Sequence, residues 1–265
     1  MAEDTYEIHA VKYAYVMRRS PDNFLGGDPH DVPMPLNYYV WVVRNAARTV
    51  VVDTGFGEGA AAKRGRQIIH PVAEGLAALD ISPSAVDTVV ITHLHYDHAG
   101  NLPLFERARF HLQDSEMSFA TGRCMCHHAL RHGYEADDVV QMVRYVFDER
   151  VRFHAGTHEL APGIELHHLG GHTQGLQVVR VRTARGWVVL ASDASHFYAN
   201  LEQARPFPIV HDLGAMLDGY QRLRELATSE AHIVPGHDPA VMARYPVARP
   251  GLEDWVVRLD LAPRG

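Results

Sequence analysis

Val89-Val-Ile-Thr-His-Leu-His-Tyr-Asp-His-Ala-Gly-Asn101 is the stretch that decides the fold. Its first three residues form an apolar run of the kind that ends a buried strand. His93, His95, Asp97 and His98 follow at once, so four side chains able to bind a metal ion fall within six residues. Side chains alternate along extended backbone, which turns His93 and His95 the same way. Asp97 and His98, with the small Ala99 and Gly100 behind them, can then face a second point beside the first. Neutral imidazole and carboxylate are donors that a borderline cation such as zinc prefers. One loop thus offers half of the ligands for two ions.

The remainder lie further along. His172 stands in Leu169-Gly-Gly-His-Thr-Gln-Gly175, Asp193 in Val188-Val-Leu-Ala-Ser-Asp-Ala194, and His237 in His232-Ile-Val-Pro-Gly-His-Asp238. Each follows a strand-like run, at a junction where a rigid element holds the side chain and the loop gives access. The series His93-x-His95-x-Asp97-His98, His172, Asp193, His237 resembles the metallo-β-lactamase superfamily. Within it, the chain is most similar to the dinuclear zinc lactonases that open N-acyl homoserine lactones. The resemblance runs from Val50-Val-Val-Asp53-Thr-Gly55 to His237, nearly the whole chain.

That resemblance implies an α/β fold, a four-layer αββα sandwich with the metals at one edge between the sheets. It implies two zinc ions per chain, one held by His93, His95 and His172, the other by Asp97, His98 and His237, with Asp193 bridging them. Other divalent transition metals suit the same donors. Asp53 would brace the metal loop, as outer carboxylates orient ligating imidazoles; a simple turn cap is the plainer role for it.

Two adjacent divalent ions depress the pKa of a shared water and hold a bridging hydroxide at neutral pH. Asp97 could orient that nucleophile and carry its proton to the leaving group. The expected activity is lactone opening, with an N-acyl homoserine lactone as the substrate the resemblance suggests. Another small cyclic or linear ester, an amide or a thioester would suit the same core. Homoserine lactonases typically carry a Tyr three residues after the bridging Asp; here the order is Asp193-Ala-Ser-His196-Phe197-Tyr198. His196 or Tyr198 is therefore the candidate catalytic donor to the carbonyl oxygen. The usual Thr-Pro-Gly after the third His is altered to Thr173-Gln174-Gly175.

Other branches fit less well. The bridging Asp193 and the absence of a leader-like start speak against a β-lactamase. The stretch after His237 is short for the helical substrate region of a glyoxalase II-like thioesterase, and there is no room for the flavin domain that accompanies iron redox relatives. A non-catalytic metal scaffold is disfavoured by the full set of seven ligand positions.

At 265 residues and 46% hydrophobic content, one α/β domain spanning 1–265 is expected. A formal charge of −7 without a Lys/Arg run argues against nucleic acid. No stretch approaches the ~20 apolar residues of a membrane span. Cys124 and Cys126 are too close for an ordinary disulfide and lack the spacing of a metal clasp, so they read as core or cap residues. A cytoplasmic enzyme acting on a small molecule, without nucleic-acid or membrane partners, is the expectation. Oligomeric state is not legible.

Pattern and propensity predict strands over 8–17, 36–44, 49–53, 88–91 and 105–112, and a hairpin of 177–182 with 187–191. They predict helices over 62–79 and 212–228, the second with Leu213, Met216, Leu217, Tyr220, Leu223, Leu226 and Ala227 on its apolar face. Residues 18–35 read as a long loop at the rim of the site. Residues 113–158, with Met117, Phe119, Met125, Met142, Tyr145 and Phe147, read as a helical cap over an apolar pocket, or as ordinary helix core.

Overall fold

The structure, a computed structural model, describes residues 4–264. Its strands are β1 (Glu7–Val16), β2 (Leu36–Arg44), β3 (Thr49–Val52), β4 (Gln67–Ile68), β5 (Thr88–Val90), β6 (Arg109–Gln113), β7 (Val151–His154), β8 (Thr157–Ala161), β9 (Ile164–His168), β10 (Gln177–Thr183), β11 (Gly186–Ser192), β12 (Ile233–Pro235) and β13 (Val256–Arg258). The helices are α1 (Glu58–Arg64), α2 (Val72–Ala77), α3 (Tyr96–Ala99), α4 (Asp114–Thr121), α5 (His128–Arg131), α6 (Ala136–Phe147), α7 (Tyr198–Glu202), α8 (Leu213–Leu226) and α9 (Ala240–Arg244).

Strand alternation sorts the apolar side chains into three cores. In β2, Tyr38, Val40 and Val42 point one way and Tyr39, Trp41 and Val43 the other. The first set joins Leu76, Phe110 and Met142 beneath helices α2 and α6. The second meets Val179, Val181, Val188 and Leu190 between the sheets. Val178, Val189 and Ala191, on the far face of the second sheet, pack against Tyr220 and Leu223 of α8. Helix, sheet, sheet, helix is therefore the order of layers, the expected αββα sandwich. The sheets run β13-β1-β2-β3-β5-β6-β7, with β4 beside β1, and β12-β11-β10-β9-β8. From β3 to β7 the pairing is parallel, as is β11 with β12. Their C-terminal ends collect loops at one edge, where parallel sheets commonly build sites.

The expected helix over 62–79 does not exist as one element. Gly65 adopts a left-handed conformation (φ 64°) and ends α1. Arg66 leads into β4, which pairs with β1, and Pro71 precedes α2. Left-handed backbone at a helix end favours glycine, and that signal outweighs the apolar stripe. The strand expected over 105–112 starts only at Arg109. On α8, Leu213 and Leu217 are exposed; the buried face is Met216, Gly219, Tyr220, Leu223 and Leu226. The 113–158 segment contains α4 to α6 and then turns into strands β7 and β8. Met142 is fully buried in the core beneath α6, and Met125 packs at its margin.

Candidate metal centre

The loops after β5, β9, β11 and β12 bring the seven expected ligands together. His95 stands at the N-cap of α3, so Asp97 and His98 turn inward on its single turn. One carboxylate oxygen of Asp193, Oδ2, lies 3.2 Å from His172 Nε2 and 3.8 Å from His93 Nε2. His95 Nδ1 approaches His172 Nε2 at 3.0 Å. The other oxygen, Oδ1, lies 3.0 Å from His237 Nε2 and 3.2 Å from His98 Nε2. Asp97 Oδ2 is 3.6 Å from His98 Nε2 and 3.8 Å from His237 Nε2. Donor atoms of His93, His95, His172 and Asp193 fall within 4.8 Å of one another, and so do those of Asp97, His98 and His237. Asp193 thus faces both groups, one oxygen to each.

The rings are held from behind. Asp53 Oδ2 sits 2.7 Å from His98 Nδ1, and the same carboxylate accepts the Thr92 backbone N–H at 2.7 Å and the Thr92 hydroxyl at 2.8 Å. His172 Nδ1 reaches the Ile209 carbonyl at 2.7 Å, and His237 Nδ1 the Asn37 carbonyl at 2.8 Å. A donor bond at one nitrogen leaves the other as an oriented lone pair. His93 Nε2 and His98 Nε2 are buried without a hydrogen bond. Burial, reinforced by neighbouring imidazoles, holds His93 and His95 well below the usual histidine range, so both rings are neutral. Buried, convergent imidazole nitrogens, two of them without a hydrogen bond, beside two carboxylates are what a pair of divalent cations requires, and the residues fit the implied metals.

His196 lies inside this constellation, its Nε2 2.8 Å from Asp193 Oδ2 and its ring stacked on Phe207 at 3.8 Å. Burial pushes its pKa down to about 3. Tyr198 goes elsewhere. It opens α7, packs into the core between the sheets and carries the Arg244 guanidinium 3.8 Å above its ring.

Apart from Arg18, in the loop expected at the rim, several residues at the site gave no signal in the sequence. The mouth is lined by Arg18, Tyr38, Arg64, Arg66, Tyr96 and His132, among others. Tyr38 and Tyr96 share a hydrogen bond at 3.1 Å. Glu116 is fully buried and accepts four: from the Leu94 N–H (2.9 Å), the Tyr134 hydroxyl (2.9 Å), the Thr173 hydroxyl (2.6 Å) and the Gly175 N–H (3.1 Å). It joins the loop of His93 and His95 to that of His172. A Cβ on Gly175 would meet the Glu116 backbone N at 2.1 Å, so only glycine fits there.

The sequence profile of the Metallo-beta-lactamase superfamily matches residues 33–241. The chain belongs to that superfamily, and its fold and relatives are those of a metal-dependent hydrolase. An N-acyl homoserine lactonase of Bacillus sp is 27% identical over 230 residues, covering 80% of this chain and 84% of that one. The N-acyl homoserine lactonase AiiB of Rhizobium rhizogenes is 29% identical over 235 residues, covering 78% and 80%. A crystal structure of a quorum-quenching N-acyl homoserine lactone lactonase superposes with a TM-score of 0.73 at 23% identity, covering 89% of this chain and 94% of its own. AidC, a dizinc quorum-quenching lactonase, gives 0.71 at 14% identity, covering 89% of each.

Proposed function

We propose that this chain is a dinuclear zinc lactonase, with His93, His95 and His172 holding one ion, Asp97, His98 and His237 the other, and Asp193 shared. The two-sided placement of the Asp193 carboxylate carries the proposal, because only a carboxylate presents one oxygen to each group. Bound there, the ions supply Lewis acidity and an acidified water. In ring opening, the water oxygen bonds to the lactone carbonyl carbon, the bond from that carbon to the ring oxygen breaks, and a hydroxy acid results. Asp97 accepts the proton of the attacking water and returns it to the ring oxygen. His196, neutral and at the cavity wall, donates to the carbonyl oxygen as charge develops there. Asp53 keeps the His98 ring oriented.

The named relatives suggest an N-acyl homoserine lactone as substrate; a cytoplasmic setting is proposed from the cysteine usage alone. Among the described residues no helix is long and apolar enough to cross a membrane. The whole of 1–265 is taken as one domain, with 113–158 bringing His132 and Gly133 to the cavity wall. The test is elemental analysis of purified protein beside turnover of lactones and thioesters. About two zinc ions per chain and lactone turnover are expected; metal-replete protein with one ion or none, or turnover of thioesters alone, would overturn the proposal.

A further inference from the structure

The mouth of the candidate site carries more positive charge than its own carboxylates answer. Arg64 is neutralised, since its guanidinium lies 2.8 Å from Glu135. Arg18 and Arg66 are not: among the described residues neither makes an ion pair. Arg18 Nη2 donates to the backbone carbonyl of Asp22 at 3.0 Å, and its guanidinium lies 4.9 Å from the Phe207 ring centre. Arg66 donates from Nε to the Tyr96 hydroxyl at 3.0 Å and from Nη1 to the Arg64 carbonyl at 2.7 Å. All three of these acceptors are neutral. Both side chains are half-buried and line the same cavity as Asp97, His172, Asp193 and His237. Burial works against the charge on Arg18 and is only partly offset by Tyr38 and Asp22, whereas Tyr38, Tyr96 and Asp97 favour the charge on Arg66. Asp97 is the carboxylate that bears on Arg66, and it already faces His98 and His237.

Neither guanidinium has a carboxylate in contact, so each keeps donors free for an anion, and a planar guanidinium matches a carboxylate better than any neutral group. The two approach by different routes: Arg18 through Phe207, which stacks on His196, and Arg66 through Tyr96, which bonds Tyr38 beside His237. Both arginines line, together with the His/Asp cluster, one cavity of about 50 Å³.

We infer that the substrate is a lactone bearing an anionic group, a carboxylate, which Arg18 and Arg66 bind while the ring ester lies against the His/Asp cluster. This inference rests on the lactonase proposal. A simple acyl homoserine lactone has no such group and leaves both guanidinium groups unmatched.

The experiment compares a γ-lactone carrying a carboxylate with its carboxamide and with an N-acyl homoserine lactone, on the zinc-loaded protein and on Arg18→Gln and Arg66→Gln. The carboxylate substrate should be preferred by about tenfold or more in kcat/KM, chiefly through KM, and either substitution should collapse that ratio. Equal kcat/KM for carboxylate and carboxamide, or preference for the acyl homoserine lactone, would overturn the inference and leave the lactonase proposal standing. If no lactone is turned over, the lactonase proposal fails, and calorimetric binding of the ring-opened hydroxy dicarboxylate against its monoamide tests the arginine pair separately. Should a substituted chain fail to fold, the comparison of the three substrates on the unsubstituted protein is sufficient to uphold or overturn the inference.

Discussion

The carboxylate of Glu116 accepts the Thr173 hydroxyl at 2.6 Å while its other oxygen accepts the Leu94 N–H at 2.9 Å. One buried side chain therefore sets the distance between the histidines on either side of Leu94 and His172, the residue before Thr173. Glu116→Ala leaves four buried donors unmatched. Such losses cost roughly 1–3 kcal/mol each when unrelieved, so about 3 kcal/mol of net destabilisation is expected after water enters. A urea unfolding midpoint measures it. An unchanged midpoint would show that the bonds are replaced in solution.

Asp193→Ala removes the carboxylate that faces both groups. Zinc content should fall by at least one ion per chain, and hydrolysis should be largely lost. Asp53→Asn keeps the shape but replaces an acceptor of the His98 Nδ1–H and Thr92 donors. Zinc affinity should then fall by about 10–100-fold, measured by competition with a chromophoric chelator. Full zinc occupancy and activity in Asp193→Ala would remove the mechanism.

His9 supplies a pH dependence away from the cluster. It is 2% exposed, its Nδ1 has no partner, and burial, aided by Arg44 and Arg258, lowers its pKa to about 3. An unfolded chain takes up the proton near pH 6.5, while the folded chain resists it to about 3. The unfolded state thus binds more protons between those values. The contribution is whole above about pH 6.5 and is lost as pH falls toward 3. In His9→Gln the slope of unfolding free energy against pH should be shallower between pH 4 and 6.5 than in the unsubstituted chain. Parallel slopes would contradict the burial.

The layered fold and the cluster were legible because their signals are dense and local. Val89 to Ile91 shows a buried strand end, and four donors follow within one turn of chain. His172, Asp193 and His237 each repeat the pattern of apolar run and loop. Arg66 and Glu116 were not legible, since each stands alone among unremarkable neighbours and acquires its setting only when distant loops meet; Arg18 lay in the loop expected at the rim, but nothing singled it out within that loop. Arg66 was also hidden by the helix expected over 62–79: as a helical position it has no reason to face a site, whereas the left-handed turn at Gly65 sends it there. Leu213 and Leu217 match helical periodicity loosely, yet α8 buries a narrower face.

Met142 fits the apolar helical pattern of a cap, but the structure puts it in the core. It is fully buried against the helical face of the first sheet and is absent from the walls of the site's cavity. Met142→Ala should cost about 2–5 kcal/mol of stability. The ratio of kcat/KM between short and long acyl substrates should stay constant. A changed ratio at unchanged stability would return it to a substrate pocket.

His196 and Tyr198 divide cleanly in their surroundings, and kinetics can separate them. His196 touches Asp193 at 2.8 Å, stacks on Phe207 and borders the cavity, whereas the Tyr198 ring lies in the core under Arg244. A donor lost from a site stabilising an oxyanion costs about 10²–10³ in kcat where it works alone, and roughly tenfold is expected here because bound metal would share the charge. His196→Ala should lower kcat by that amount. Its zinc content should stay near that of the unsubstituted chain, because the two proposed ion positions are complete without it. Tyr198→Phe should keep its kinetics, since its hydroxyl is buried without a hydrogen bond and away from the cavity. If His196→Ala instead loses zinc in proportion to activity, the imidazole acts as a ligand, and the arrangement of Asp193, His196 and His237 within 4.8 Å supplies the geometry for it. If Tyr198→Phe is the impaired variant, the loop after Asp193 moves on binding substrate, and the donor role passes to the tyrosine.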